Sequence, residues 1–256
     1  MNLAVRKEEP PLHASGRVDI GGRETDFVVR VIGAEDLDAL ATAQQAAAAG
    51  IAEEDWDLFH PHPREEIELF LDGEGAIFGL FIDGALAGYC MLGLPRARLG
   101  NFADFLPPGS SAVPAEERRL VAHIDGVYVP PDLRGHALQR LLIRVRMDHA
   151  LARGCRHFLA NASPRNTVSG HNMARSGMLV RAVAEMHPTP RGRKLRCLFH
   201  KDVSRPVHFD PNIAPVAVPA MDKAAQQALI AKGYLGVDFH RRDGAPMILY
   251  ARPLAP

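Results

Sequence analysis

The feature that most constrains this fold is a strand that passes through a short turn into an amphipathic helix and then into a second strand. The strands are predicted over residues 121–129 and 156–161, and the helix over residues 136–152, with Gly154 as its stop. One face of the helix is apolar and the other is charged, as in a helix that covers a sheet. Two strands joined by such a helix predict a parallel pair with a right-handed crossover.

The segments on either side of this unit predict antiparallel pairing. A strand over residues 27–32 and helices over residues 34–49 and 63–71 come first, followed by a hairpin whose turn is Asp83-Gly84, a dipeptide typical of two-residue turns. Downstream, the sequence predicts a short helix and a last pair of strands, over residues 166–176, 179–186 and 194–199. The predicted fold class is therefore α/β, with a mixed central sheet flanked by helices.

The chain divides into three predicted parts. Residues 1–24 are polar and rich in Pro and Gly, which predicts a loosely held arm, and residues 25–203 carry the α/β domain. Residues 204–256 form a C-terminal α/β extension of a helix and a hairpin, whose order of elements echoes that of residues 166–200. Two interpretations stay open for this extension: a partial repeat packed on the main sheet, or a dimerisation arm that builds a homodimer by exchange.

Composition argues against several classes of function. Lys plus Arg equals Asp plus Glu at 30 each, so the basic excess typical of nucleic-acid binding is lacking. The three cysteines, Cys90, Cys155 and Cys197, lack metal-ligand spacing, so neither a metal site nor a disulfide scaffold is expected. The N-terminus lacks the apolar core of a signal peptide, and no stretch is long and apolar enough to span a membrane, which predicts a cytoplasmic protein.

The turn that enters the long helix has the character of an anion site. Gly135 and Ala137 lack bulk, so an anion can approach the backbone closely, and Arg134 adds a positive charge. The first N–H groups of a helix have no intrahelical partner and attract negative charge. An ordinary strand–helix turn is the alternative interpretation.

This turn resembles the pyrophosphate loop of the GNAT superfamily of N-acetyltransferases, which reads Gln/Arg-x-x-Gly-x-Gly/Ala. From Asp132 the chain reads Asp-Leu-Arg-Gly-His-Ala, so both small positions match and Asp132 departs from the pattern. Asn166 and Gly177, eleven residues apart, resemble the bounds of a second family helix, although Met173 stands where many members have a Tyr. The resemblance covers residues 25–203 and implies the GNAT fold.

The resemblance implies that acetyl-CoA is the co-substrate. It would be held by the end of the strand, by the N–H groups of the turn and by the polar start of the short helix, although capping of that helix is the alternative role for its polar residues. The expected contacts are Val127, Tyr128, Val129, Arg134, Gly135, His136, Ala137, Leu138, Asn166, Ser169 and Asn172.

His123 and Asp125 are the expected catalytic residues. They stand two positions apart on a strand, so their side chains share one face. An amine attacks a thioester only when it is neutral, and His titrates in the range needed to remove the amine's proton. A solvent-facing strand edge is the alternative. Residues 94–119 form a long Pro- and Gly-rich segment that favours a cover over the acceptor, whereas His60 and His62 are interpreted as part of a turn.

These residues predict an acetyl-CoA-dependent N-acetyltransferase that acts on the amine of a small-molecule acceptor by direct attack on the thioester, with general-base assistance. Two alternatives stay open. One is a non-catalytic acyl-CoA-binding sensor or assembly module, which Asp132 and Met173 favour. The other is a protein-modifying acetyltransferase.

Overall fold

The computed structural model describes residues 12–58, 61–95, 100–106 and 112–254, which contain eleven strands and five α-helices. The strands are β1 (Leu12–Ile20), β2 (Arg23–Val31), β3 (Gly75–Ile82), β4 (Ala85–Gly93), β5 (Val121–Tyr128), β6 (His157–Ala162), β7 (Leu179–Thr189), β8 (Gly192–Asp202), β9 (Val216–Pro219), β10 (Leu235–Arg242) and β11 (Ala245–Ala251). The helices are α1 (Leu37–Ala49), α2 (Arg64–Leu69), α3 (Leu138–Leu151), α4 (Thr167–Arg175) and α5 (Lys223–Ala231).

The strands form one sheet in the spatial order β1-β2-β3-β4-β5-β6-β8-β7-β10-β11-β9. β5 and β6 are parallel and are joined through α3, whereas the other neighbouring pairs among the described strands are antiparallel. The predicted mixed sheet with one parallel unit is therefore confirmed. The strands of the C-terminal extension continue the same sheet.

The predicted loose arm is wrong for residues 12–24. Leu12–Ile20 forms β1, which pairs with β2 along its length, and Val18 is buried in the main core. Gly21 and Gly22 lie at φ 60° and 86° in the turn between these strands, a conformation that glycine adopts without strain. The part of the arm before residue 12 lies outside the described residues.

Helices cover both faces of the sheet. Neighbouring residues of β3 point to opposite faces, so Ile77 packs with α1 and α2, while Phe78 packs in the larger core under α3, α4 and α5. On α3 the predicted apolar face is buried, whereas Arg140 and Arg144 are exposed as expected. Among the helices that the structure describes, none has the length and apolar character needed to cross a membrane.

β5 and β6 part after a short parallel contact. They pair over three residues of each strand, ending at His123 and Leu159. From Ile124 onward, this edge of β5 faces none of the described strands. Its other edge pairs with β4 through a register shift between Cys90 and Leu92. A gap therefore opens just before the turn that leads into α3, and along it β5 has no partner strand among the described residues.

Candidate active site

The turn between β5 and α3 presents unpaired backbone donors. Ala137 precedes α3 in the left-handed conformation at φ 59°, and Gly135 lies at φ 88°. The N–H groups of residues 135–138 donate to no group in the described part of the chain, and a Cβ at Gly135 would meet nothing within 4 Å. Arg134 is exposed and donates through Nε to the Val129 carbonyl at 3.3 Å. Open donors at a helix N-terminus beside a guanidinium fit a pyrophosphate.

The end of β5 offers an open strand edge beside this turn. Val127 and Tyr128 pair with Cys90 and Tyr89 on β4, and the side chains of residues 127–129 are half-buried. The edge that faces the gap keeps its backbone groups unpaired among the described strands. An extended arm that carries amides fits such an edge as an added strand.

α4 is joined to α3 by the polar residues that were expected beside the cofactor. Asn166 caps its own helix by accepting from the Ser169 N–H at 3.1 Å. Gln139 on α3 donates to Ser169 Oγ at 3.2 Å and accepts from Asn172 Nδ2 at 2.7 Å. These contacts match the capping alternative and brace the two helices, and a role at the cofactor stays a prediction. Met173 is 5% exposed and packs in the core, where it has no proton to donate to a thiolate.

His123 and Asp125 come together on β5, and two further residues extend the pair. Asp125 lies 3.4 Å from His123 (Oδ2 to Nδ1) and 3.6 Å from His62 (Oδ1 to Nε2). His62 precedes α2, and its Nδ1 lies 3.1 Å from Oε2 of Glu66 on that helix. The four side chains form a row, His123–Asp125–His62–Glu66, which we call the acid–base row. It leads from the buried strand to a glutamate whose side chain is 34% exposed.

His123 is buried without a hydrogen-bond partner. It is 3% exposed, and neither ring nitrogen makes a hydrogen bond within the described residues. Its contact with Asp125 is within ion-pair distance but lacks hydrogen-bond geometry. Phe102 stacks on the imidazole at a centroid distance of 4.4 Å, and Phe105 lies edge-on at 5.5 Å. A buried polar atom without a partner calls for an explanation, and a ligand that completes it is one.

These aromatic contacts come from the segment expected to cover the acceptor. Residues 100–106 of that segment are described, and they lie over His123. Residues 96–99 and 107–111 lie outside the described residues, as does His60.

The charges of the acid–base row support one another. Burial would raise the pKa of Asp125, but His123 and His62 outweigh it and hold the pKa of this carboxyl well below its usual range. Burial would lower the pKa of His62, but Glu66 and Asp125 outweigh it and raise that pKa above its usual value. The arrangement therefore favours an ionised Asp125 beside a protonated His62.

Arg146 and Gly126 hold the row in place. Arg146 on α3 is 1% exposed and donates to the carbonyls of Asp125 at 2.5 Å and Met91 at 3.3 Å, where the pairing of β4 and β5 is irregular. Gly126 makes room for His62, because a Cβ there would lie 2.9 Å from Nε2. The irregular strand thus turns a backbone carbonyl toward a buried cation and leaves space for a histidine from another element.

The segment before α2 is tied to the end of β6 across the gap. Ser163, just after β6, donates to Asp57 Oδ2 at 2.5 Å. Arg165 donates to Asp57 Oδ1 at 2.9 Å and to Asp55 Oδ1 at 2.6 Å. This link holds the segment around Asp57 against the end of β6.

Sequence reasoning missed three residues that build this site. His62 was interpreted as part of a turn; it lies in the irregular segment before α2, and its ring is buried against Asp125. The signal for Glu66 was its position four residues after His62 at a helix start, where the two side chains share a face. Arg146 was readable as a cation at a core-facing position of α3, because Leu142 and Ala150, four residues before and after it on the same helix face, are apolar.

Two groups of potential metal ligands occur among the described residues. They are His62, Glu66 and Asp125, and Glu117, His157 and Asp202. In the first group, the two nitrogens of His62 face different carboxylates, so a single ion would take only one of them. In the second, Glu117 also pairs with Arg156 at 2.6 Å. Both groups have the contacts of ion-pair networks, and the expected lack of a metal stays a prediction.

A family model joins these features to known enzymes. The model described as the acetyltransferase (GNAT) family matches residues 45–178, more than half of the chain. The chain belongs to the GNAT acetyltransferase family. Members of this family use acetyl-CoA, and the protein is accordingly a transferase of acetyl groups. The matched range includes the acid–base row, the open strand edge, the turn and α4.

Solved structures of GNAT proteins show the same fold. An N-acetyltransferase of Staphylococcus aureus has 16% identity and a TM-score of 0.51, covering 69% of this chain and 98% of its own. A ribosomal-protein-alanine N-acetyltransferase of Brucella melitensis has 18% identity and a TM-score of 0.51, covering 68% and 99%. YncA of Salmonella typhimurium, solved with acetyl-CoA, has 17% identity and a TM-score of 0.50, covering 73% and 99%. Curated protein sequences contain no significant match.

Proposed function

We propose that this GNAT protein is an N-acetyltransferase that transfers the acetyl group of acetyl-CoA to the amine of a small-molecule acceptor. The observation that carries the proposal is the acid–base row at the point where β5 leaves β6. The row, the open strand edge and the turn with unpaired donors all lie along one strand and its exit. The proposed base, the strand edge for the thioester arm and the turn for its phosphates therefore lie within a few residues of one another in the sequence.

Acetyl-CoA, when bound, supplies the acetyl thioester that the amine attacks. In this proposal the N–H groups of residues 135–138, with Arg134, hold its pyrophosphate, since these donors are open in the described structure. The backbone groups of residues 127–129 that face the gap bind the amides of its pantetheine arm in place of a neighbouring strand. Apart from that of Arg134, these contacts are made by backbone, so they tolerate the Asp132 departure from the family pattern.

His123 is the proposed general base. An alkyl amine is protonated near neutral pH and must lose a proton before it attacks a thioester. His123 has ring nitrogens without a hydrogen-bond partner, and Asp125 lies close enough to stabilise the imidazolium that forms. His62, held by Glu66, keeps Asp125 ionised beside this imidazole.

The cover supports a small acceptor. Phe102 and Phe105 lie directly over the imidazole of His123, which is 3% exposed. A base enclosed in this way is reached by a slender amine more easily than by a folded protein surface. The ionised carboxylate of Asp125 attracts the ammonium form of such an acceptor into the site.

Two measurements on one preparation test this function. Calorimetry measures acetyl-CoA binding, and a thiol-release assay follows turnover with a panel of polyamines, amino acids, amino sugars and aryl amines beside peptides with a free N-terminus. Binding together with turnover of one class of free amine is the expected result. Turnover of peptides alone would identify a protein acceptor, and binding without turnover of any amine would identify an acyl-CoA sensor. Lack of acetyl-CoA binding would refute the assignment of the turn.

A further inference from the structure

The C-terminal extension repeats the local structure of the unit that contains α4. α4 and α5 are both nine residues long and begin 56 residues apart in sequence, at Thr167 and Lys223. Each helix is capped by the side chain just before it, because Asn166 accepts from the N–H three residues on and Asp222 does the same. The two helices therefore have the same length and the same type of cap at a constant offset.

The strands that follow the two helices also match. Each helix is followed by a glycine at positive φ, Gly177 at 80° and Gly233 at 84°, again 56 residues apart. Each next strand carries a register shift at the equivalent place. These shifts are between Val180 and Ala182 in β7 and between Gly236 and Asp238 in β10. A register shift at the same relative position is stronger evidence for a repeat than shared helices and hairpins are. Helices and hairpins arise often, whereas a shift at a matching position does not.

The two units are arranged about a pseudo-twofold axis. In the sheet, the order β6-β8-β7 of the first unit is mirrored by β10-β11-β9 of the second. β7 and β10, which are equivalent strands, pair antiparallel through Val180 and Gly236, which are equivalent positions. Two copies of one element that pair through the same residue are related by a twofold rotation, as in an isologous dimer interface.

The helix contacts are reciprocal across this axis. Gly170 of α4 lies on Phe239 of β10, where an added Cβ would come within 2.5 Å of the ring. In the other direction, Gln227 of α5 donates to the carbonyl of Val183 on β7 at 3.2 Å, and Val183 is the equivalent of Phe239. Each unit thus places its helix on the strand of the other, which is the contact pattern of two identical surfaces that bind each other.

We propose that the edge of β7 and the sheet-facing side of α4 form a self-association surface. The partner that fits this surface is a second copy of the unit that contains α4 and β7. In this chain the C-terminal unit, residues 216–251, occupies that surface in place of a second molecule. Without it, β7 would lose its contact with β10 and stand at the edge of the sheet, where a strand can pair with another chain. The extension is therefore a partial repeat that completes the sheet within one chain, and the protein is a monomer. This inference does not depend on which amine the protein acetylates.

The first test uses the unmodified protein. Light scattering is expected to give the mass of one 27.9 kDa chain. Hydrogen exchange around Val180, where β7 contacts β10, is expected to be equally slow at all protein concentrations, because β10 belongs to the same molecule. A dimer mass, or protection of this strand that falls on dilution, would show that the extension pairs between molecules and would overturn the proposal.

The second test opens the contact at the pseudo-twofold axis. A Cβ at Gly236 would lie 2.7 Å from the Cβ of Val180, so Gly236→Glu separates β10 from β7 and exposes both edges. Val216→Glu is the matched control, because it adds the same charge to the same unit at a position that is 39% exposed. Gly236→Glu is expected to form dimers with increasing concentration, while Val216→Glu stays monomeric. A folded Gly236→Glu protein that stays monomeric would refute self-association, and if it does not fold, exchange in the unmodified protein decides.

Discussion

Replacing His123 with Gln tests the proposed base directly. Gln is of similar size and polarity but does not accept a proton near neutral pH, so it removes the base while it fills the space beneath Phe102. General-base assistance contributes about 10²–10⁴-fold to turnover. Because His123 is 3% exposed, bulk water has little access to replace it, and we expect kcat to fall about 10³-fold, or about 4 kcal/mol in the barrier.

The assay measures kcat by thiol release at saturating acetyl-CoA and the acetyl-CoA Kd by calorimetry. His240→Gln on β10 in the C-terminal unit is the control and should leave both quantities unchanged. A His123→Gln protein whose kcat falls less than about tenfold would show that another group takes the proton. A parallel loss of acetyl-CoA affinity would show that His123 shapes the site and is not its base.

Three further changes test the framework around the site. Arg146→Met removes the donors to the carbonyls of Asp125 and Met91. In the same two assays, kcat should fall at least about tenfold while the acetyl-CoA Kd stays nearly unchanged. Ala137→Val puts a β-branched residue at φ 59°, and calorimetry should show acetyl-CoA binding weakened at least about tenfold; equal affinity would contradict the role of the turn. Burial lowers the pKa of His200 from 6.5 to about 3. Between these two pH values the unfolded chain binds a proton at this histidine and the folded protein does not, so stability falls as the pH drops below the pKa of the unfolded chain. Urea unfolding at about pH 7 and about pH 5 measures the free energy of unfolding at each pH. Between these two values His200→Gln should lose about 2 kcal/mol less of this free energy than the unmodified protein does, whereas an equal loss in both proteins would refute the assignment.

Much of the fold was predictable because its signals are local. The hairpin at Asp83-Gly84 follows from turn chemistry, and α3 follows from its apolar spacing and the glycine that ends it. The strand β1 was missed although apolar and polar residues alternate along it, because Ala14 and Gly16 are small and, among its residues of described burial, only Val18 is fully buried. Its pairing with β2 depends on the turn at Gly21 and Gly22, a signal that was present and was given too little weight.

Part of the geometry of the candidate site was predictable from local signals as well. The open turn at Gly135 and Ala137 follows from residue types within a few positions, and the shared face of His123 and Asp125 follows from the period of a strand. His62 was not predictable as their partner, because nothing near it in sequence indicates that its ring lies 3.6 Å from Asp125.

Local spacing in the sequence thus specified the parallel unit, the open turn before α3 and the family. Packing between distant segments decided the rest: the acid–base row, the buried guanidinium of Arg146 behind it, and the docking of the C-terminal unit on β7. The physical reason is the reach of each interaction. Backbone conformation is set by a few neighbouring residues, whereas a contact between elements depends on how the whole sheet orients both of them.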